Sequence, residues 1–237
     1  MVVIINADDL GISSQVNREV FRLAAEGAIT STTILANGEA MEQAAAEARN
    51  FPQVSFGVHL NLTEFQPVEP STALRLIVDK SGRFRGNRVR ELRINRELKA
   101  AIFHEWCAQI EKLVALGITP SHLDSHHHTH TIPELFPVLR SVGRKYGIKK
   151  VRISRNVFTA TDPLMLRMKK SAYNAALRYL AGFRTTDLFS GLDMFLQAGN
   201  GSLRGGKSIE LMVHPGAPGS ENESSQLVEW VRRQSDI

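Results

Sequence analysis

The sequence predicts an α/β fold, a seven-stranded β/α barrel with an open doubly wound sheet as the alternative, and three observations lead there. Apolar strand-like segments alternate with helical ones along the chain, the order that a parallel sheet with crossover helices demands. Polar clusters fall at the C-terminal ends of several of these strands, the edge where both barrels and open α/β sheets collect their active sites. One strand, "VSFGVHLNL", alternates strictly: Val54, Phe56, Val58, Leu60 and Leu62 share one face, and Ser55, Gly57, His59 and Asn61 the other. A face of small residues that turns polar toward its end suits the inside of a barrel narrowing to a site at its mouth.

Taken in order, the candidate strands are Val2 to Ala7, Ala28 to Ala36, Val54 to Leu62, Thr119 to Asp124, Lys150 to Ile153, Thr186 to Phe189 and Ser208 to Val213. Between them lie helical patterns. In "SSQVNREVFRLAAEG" Ser13 or Ser14 is placed to cap the start and Gly27 the end; "EAMEQAAAEARN", "NRELKAAIFHEWCAQIEKLVALG" and "IPELFPVLRSVGRKYG" follow.

The 237 residues, 43% hydrophobic, can bury a substantial core. No Pro/Gly/Ser-rich linker or fixed-period repeat divides them, so residues 1–237 read as a single domain. "MVVIIN" lacks the charged and apolar regions of an export signal, and no apolar run approaches the roughly 18 residues of a membrane span. A cytoplasmic protein is expected. The lone Cys107 has no intrachain partner and reads as a half-buried helix residue. Much of the +5 net charge lies in "GRFRGNRVRELRINRELK", with arginines at 83, 85, 88, 90, 93 and 96. Without aromatic interleaving this is a solvated insertion leading into a helix, and no nucleic-acid partner is expected.

The chemistry concentrates in four clusters. In "NADD" two adjacent carboxylates, Asp8 and Asp9, leave an apolar strand; confined together they repel, so a metal or a shared proton would separate their roles. Either one could instead cap a helix. His59, beside Asn61 on the small-residue face, is a candidate ligand. "HLDSHHHTH", residues 122–130, holds five of the chain's eight histidines. Extended geometry would put His122, Asp124, His126, His128 and His130 on one side, but the turn into the helix at "TIPELF" must break that register. A metal takes about three protein ligands plus water, so not all five can reach one ion, and Asp124 is placed to orient an imidazole. His214 ends the apolar strand "IELMV" at "HPG", where an imidazole at the rim is suited to proton donation or is simply a turn residue.

The motifs "NADDLG", "TSTTILANG", "GVHLNLTE", "PSHLDSHHHTH", "TTDLFSGL" and "ELMVHPG", in this order, resemble the YdjC-like carbohydrate deacetylase family, which includes chitooligosaccharide (diacetylchitobiose) deacetylases and hopanoid-biosynthesis relatives. The resemblance spans nearly the whole chain. It implies a seven-stranded β/α (TIM-like) barrel of the glycoside hydrolase/deacetylase type that removes acetyl groups from N-acetylated sugars with a divalent metal. Carried over by position, it makes Asp9, His59 and His126 the metal ligands, Asp8 the general base and His214 the general acid. His130, four residues beyond His126, is a reserve ligand; His128 has no clear role.

The expected reaction is therefore hydrolysis of the acetamido group of an amino sugar or short oligosaccharide by water, with no acyl-enzyme. Aspartate plus two histidines suits zinc, cobalt, nickel or manganese, and magnesium is admitted too; magnesium and zinc are the leading candidates. Two alternatives compete: a metal-dependent phosphoesterase, with the arginine stretch holding phosphate, and a non-catalytic sugar- or metal-binding barrel. The first would more naturally use two ions, and the second would have no need of a free base beside the metal. A homodimer is compatible with the sequence.

Overall fold

The computed structural model describes residues 1–159, 161–198 and 206–235. Its strands are β1 Val2–Leu10, β2 Ser31–Ile34, β3 Ser55–Leu60, β4 Leu123–Ser125, β5 Leu188–Gly191 and β6 Ser208–Val213. All pairings are parallel, in the order β4-β3-β2-β1-β6-β5. The helices are α1 Ser14–Ala25, α2 Met41–Ala48, the single turn α3 Arg88–Glu91, α4 Arg96–Ala115, α5 Phe136–Lys145, α6 Leu164–Ala175, α7 Leu192–Ala198 and α8 Glu223–Ser235.

The strand order separates the two architectures that the sequence left open. In a doubly wound sheet the second half starts beside β1 and moves outward. Here it starts at the far edge with β5 and moves inward, so that β6 returns to β1. The chain keeps winding in one sense around a cylinder with one seam, between β4 and β5.

That seam corrects the expectation of seven strands and a closed barrel. The predicted fifth strand, Lys150 to Ile153, makes only the single-residue bridges Leu123↔Val151 and Lys150↔Arg184, and the sheet is a curled six-stranded half-barrel. Side-chain amides take the backbone groups that a longer ladder would use. Asn156 donates to the Asp187 carbonyl and accepts from Phe189 N–H. Asn174 accepts from Ser154 N–H and donates to Ser154 O.

Elsewhere the local signals act as their chemistry dictates. Ser13 caps α1 by accepting from Val16 N–H, and Gly27, at φ 69°, follows its end. Asn95 caps α4, whose Leu98, Ile102, Trp106, Ile110 and Leu113 form one buried stripe. Each of its aliphatic side chains contributes about 1.5–3 kcal/mol relative to exposure. Cys107 is fully inside the core rather than half-buried.

The same helix also buries Glu105 and Gln109. Gln109 exchanges two hydrogen bonds with the backbone of Asn61, and Glu105 accepts from the amides of Val68 and Glu69. Together they fix the segment that leaves β3 at the mouth of the half-barrel. The arginine-rich stretch crosses the same end: Arg90 donates to the carbonyls of His127 and His128, and Arg83 lies over the Phe65 ring. Among the described residues no helix is long and apolar enough to cross a membrane.

Candidate active site

The C-terminal end of β1 departs from regular pairing, and the departure brings two carboxylates inside. The register with β2 shifts between Ala7 and Leu10, and Asp9 adopts φ 65°. Adjacent residues of a regular strand face opposite sides. The bulge removes that constraint, so that Asp8 and Asp9 both point into the half-barrel, where both are buried.

Asp9 meets two imidazoles. Its Oδ1 lies 2.7 Å from His126 Nδ1 and 3.1 Å from His59 Nε2, and the three side chains are 9%, 8% and 2% exposed. His59 comes from the inward face of β3, as its alternation predicts, and its other nitrogen, Nδ1, donates to Asp124 Oδ1 at 2.7 Å. Thr33 on β2 donates to Asp124 Oδ2. Asp124 thus orients an imidazole, the arrangement that commonly supports a histidine ligand.

Asp8 is held differently. Arg152 forms a two-pronged ion pair with it, both contacts 2.6 Å. The same guanidinium lies 2.8 Å from Asp124 Oδ2 and donates through Nε to Glu210 at 2.7 Å. Asn6 Nδ2 also donates to Asp8 Oδ1. His214 Nε2, at the partly exposed rim, is 4.0 Å from Asp8 Oδ2, and its backbone N–H donates to Glu223.

These contacts set the protonation states. Burial alone would raise Asp9, but hydrogen bonds from His126 and His59 outweigh it and hold the carboxyl well below its ordinary value. Burial would likewise raise Asp8 and Asp124; the Arg152 charge lowers both. Burial would lower His59 and His126. Asp124, with Asp9, raises His59 well above the usual imidazole value, and Asp9 with Glu64 raises His126 to about 9. Glu210 moves upward because burial exceeds the help from Arg152.

The remaining histidines of the 122–130 run go elsewhere. His127 and His128 take left-handed backbone conformations, φ 51° and 53°, which break the strand register immediately after His126. His122 packs against β3, where a Cβ on Gly57 would come within 2.5 Å of its ring; glycine is required by that approach. His130, the reserve ligand, stays outside the cluster. Its Nδ1 meets Ser125 Oγ, its Nε2 meets the Arg152 carbonyl, and burial keeps it neutral, with a value near 3. His128 stacks edge-on against Phe189 and His130.

Among the described residues, three groups bring possible ligand atoms together: Asp9 with His59 and His126; Glu64 with His126 and His127; and Asp8 with His59 and Asp124. In the last, both carboxylates already face Arg152. The first is the set that the family resemblance implies. Sequence reasoning passed over Arg152, Glu210 and Glu64. A charged residue inside each of the apolar segments "VRIS" and "SIELMV" was the available signal for the first two. A cavity of about 410 Å3 lies toward the opposite ends of the strands, between Val3, Ser31, His122 and Ser208, and reaches the ion-pair cluster only from behind, at Arg152 and Glu210.

The molecule is a parallel α/β half-barrel whose strand ends carry an aspartate between two imidazoles, a set that could hold a metal ion. The chain belongs to the YdjC-like protein family, whose model matches residues 2–236. A chitooligosaccharide deacetylase of Klebsiella pneumoniae (strain 342) is 34% identical over 218 residues, 90% of this chain and 81% of the relative. A carbohydrate deacetylase of Vibrio cholerae serotype O1 (strain ATCC 39541) is 38% identical over 149 residues, 62% of this chain; the match spans 57% of that relative's length. Among solved structures, a candidate cellobiose-phosphate cleavage protein from Enterococcus faecalis V583 superposes with TM-score 0.76 at 27% identity, covering 96% of this chain and 88% of the other. A family 4 carbohydrate esterase from Streptomyces lividans, at TM-score 0.50 and 14% identity over 98% and 88% of the two chains, shares the fold.

Proposed function

We propose that the chain is a metal-dependent carbohydrate deacetylase that hydrolyses the N-acetyl group of an acetylated amino sugar or short oligosaccharide. One observation carries the reading: Asp9 Oδ1 sits between His126 Nδ1 and His59 Nε2, at 2.7 and 3.1 Å, in a buried cluster. Two imidazoles turned onto one carboxylate oxygen are held there by protons, and a divalent cation satisfies the same three atoms. Asp9, His59 and His126 would hold it, with zinc and magnesium as the leading candidates; two nitrogens and one oxygen favour the first. The deacetylase names of the relatives support the substrate class.

Bound there, the ion would supply Lewis-acid polarisation of the acetyl carbonyl and acidify a water. Asp8 accepts the proton of the attacking water. Arg152 keeps Asp8 ionised and prevents it from holding that proton tightly. His214, facing Asp8 across 4.0 Å, donates to the departing nitrogen as the C–N bond breaks, leaving acetate and a free amine. The phosphoesterase alternative has less support: the nearby carboxylates Asp8, Asp124 and Glu210 converge on Arg152, and Arg90 is occupied with backbone carbonyls.

The test is to incubate purified protein and divalent ions with diacetylchitobiose and, separately, with a phosphodiester. The proposal expects acetate, lost with chelator and with Asp8→Asn. Phosphate release, or silence on several acetylated sugars despite bound metal, would count against it.

A further inference from the structure

We propose that Glu64 is the positioning residue for His126, accepting its Nε2–H and so leaving Nδ1 as the nitrogen presented to the ion. This rests on Asp9, His59 and His126 being the ion's ligands. The two nitrogens of His126 point to different neighbours. Nδ1 is 2.7 Å from Asp9 Oδ1, while Nε2 is 3.4 Å from Glu64 Oε1. Nε2 is buried and makes no hydrogen bond of normal geometry. Glu64 groups with His126 and His127, whereas Asp9 groups with His59 and His126, so the Glu64 carboxylate stands behind the ring rather than beside the ion.

The arrangement repeats that of His59, which turns Nε2 to Asp9 and gives Nδ1 to Asp124. A histidine ligand commonly gives its second N–H to a carboxylate, which fixes tautomer and ring angle. Distance and burial differ: the Asp124 side chain is fully buried with its contact at 2.7 Å, and that of Glu64 is 42% exposed with its contact at 3.4 Å.

The chain also pins the short loop that delivers Glu64. Asn61 Oδ1 accepts from the amides of Thr63 and Glu64, and its Nδ2 donates to Glu64 O. Asn37 donates to the same carbonyl and to that of Gln66. Phe65 follows at φ 61°, a conformation that non-glycine residues keep only when their surroundings impose it. Five side-chain bonds to the backbone of Glu64 and its neighbours leave its carboxylate set over the far edge of His126.

The experiment measures zinc affinity by competition with a chromophoric chelator for wild type, Asp9→Asn, Glu64→Ala and Glu64→Gln, together with 15N spectra of histidine-labelled, zinc-loaded protein. The expected result is loss of tight binding in Asp9→Asn and a 10- to 100-fold weakening in Glu64→Ala, the range usual for such supporting partners. Glu64→Gln retains an acceptor oxygen and weakens less. The spectra show His126 coordinated through Nδ1 and protonated on Nε2, and ion-free Glu64→Ala melts like wild type. Glu64→Ala within twofold of wild type while Asp9→Asn fails would overturn this proposal alone. So would coordination through Nε2, or a Glu64→Ala loss as complete as that of Asp9→Asn. Wild type without zinc affinity would instead remove the ion site on which the proposal stands.

Discussion

Two charge clusters lie side by side in this half-barrel and solve the burial of carboxylates in opposite ways. Around Arg152, three acids, Asp8, Asp124 and Glu210, share one guanidinium supplied by the chain itself. Around Asp9, one acid faces two imidazoles, groups that hold either protons or a metal. The first cluster carries its own cation; the second, in the proposed function, takes its cation from solution. Asp124 joins them, bonded to Arg152 on one side and His59 on the other. Catalysis as proposed needs both: an exchangeable cation at Asp9 and a fixed one that keeps Asp8 charged beside it.

The sharpest way to break the contrast is to remove the fixed cation. Arg152→Met leaves three buried acids without their partner and is expected to destabilise the fold by about 3–5 kcal/mol, read from urea denaturation. The loss should appear with or without added metal, whereas substitutions at Asp9 should alter stability mainly through ion binding. Next comes Asp8→Asn, expected to lower kcat by roughly 10²–10⁴-fold, the range for a general base, while zinc affinity stays near wild type.

A smaller effect tests whether His130 belongs to the structure rather than to the ion. Ser125→Ala leaves the buried Nδ1 of His130 without its partner, at about 1–3 kcal/mol of stability, with metal stoichiometry unchanged. Smallest is the pH dependence of chelator-treated protein. The folded-state values of His59 and His126 lie above the unfolded one, that of His126 at about 9 against 6.5. Their stabilisation is therefore complete below pH 6.5; that of His126 is lost as pH rises through about 9, and that of His59 as pH rises through its own raised folded value. The Tm of ion-free protein should fall by a few degrees between pH 6 and 9, and His126→Gln should flatten that fall. Asp9, lowered by the same contacts, acts at the other end: its contribution is present above pH 3.8 and disappears only as pH falls through its lower folded value.

Legibility in the sequence followed the same division. The alternation of "VSFGVHLNL" assigns His59 to the inside, and the clusters at the strand ends were conspicuous, but the choice of Asp9 over Asp8 and of His126 among five histidines came from the family resemblance alone. The bulge at Asp9 was not readable, since nothing in "NADD" distinguishes a left-handed aspartate from a regular one. Arg152 was hidden because an arginine in "VRIS" looks like an edge residue until three acids, 28 to 144 positions away in sequence, are seen around it. The predicted strand from Lys150 to Ile153 failed for a related reason: the amides of Asn156 and Asn174 take backbone groups that a longer ladder would use, and periodicity does not report which partner a backbone group finds.

The most direct test is a zinc-soaked crystal with anomalous diffraction measured at the zinc edge. The account predicts one ion bound by Asp9, His59 Nε2 and His126 Nδ1, with Asp8 still paired to Arg152 and making no bond to it. An ion bound instead by Asp8, or density confined to Glu64 and His127 with the Asp9 cluster unchanged, would contradict it.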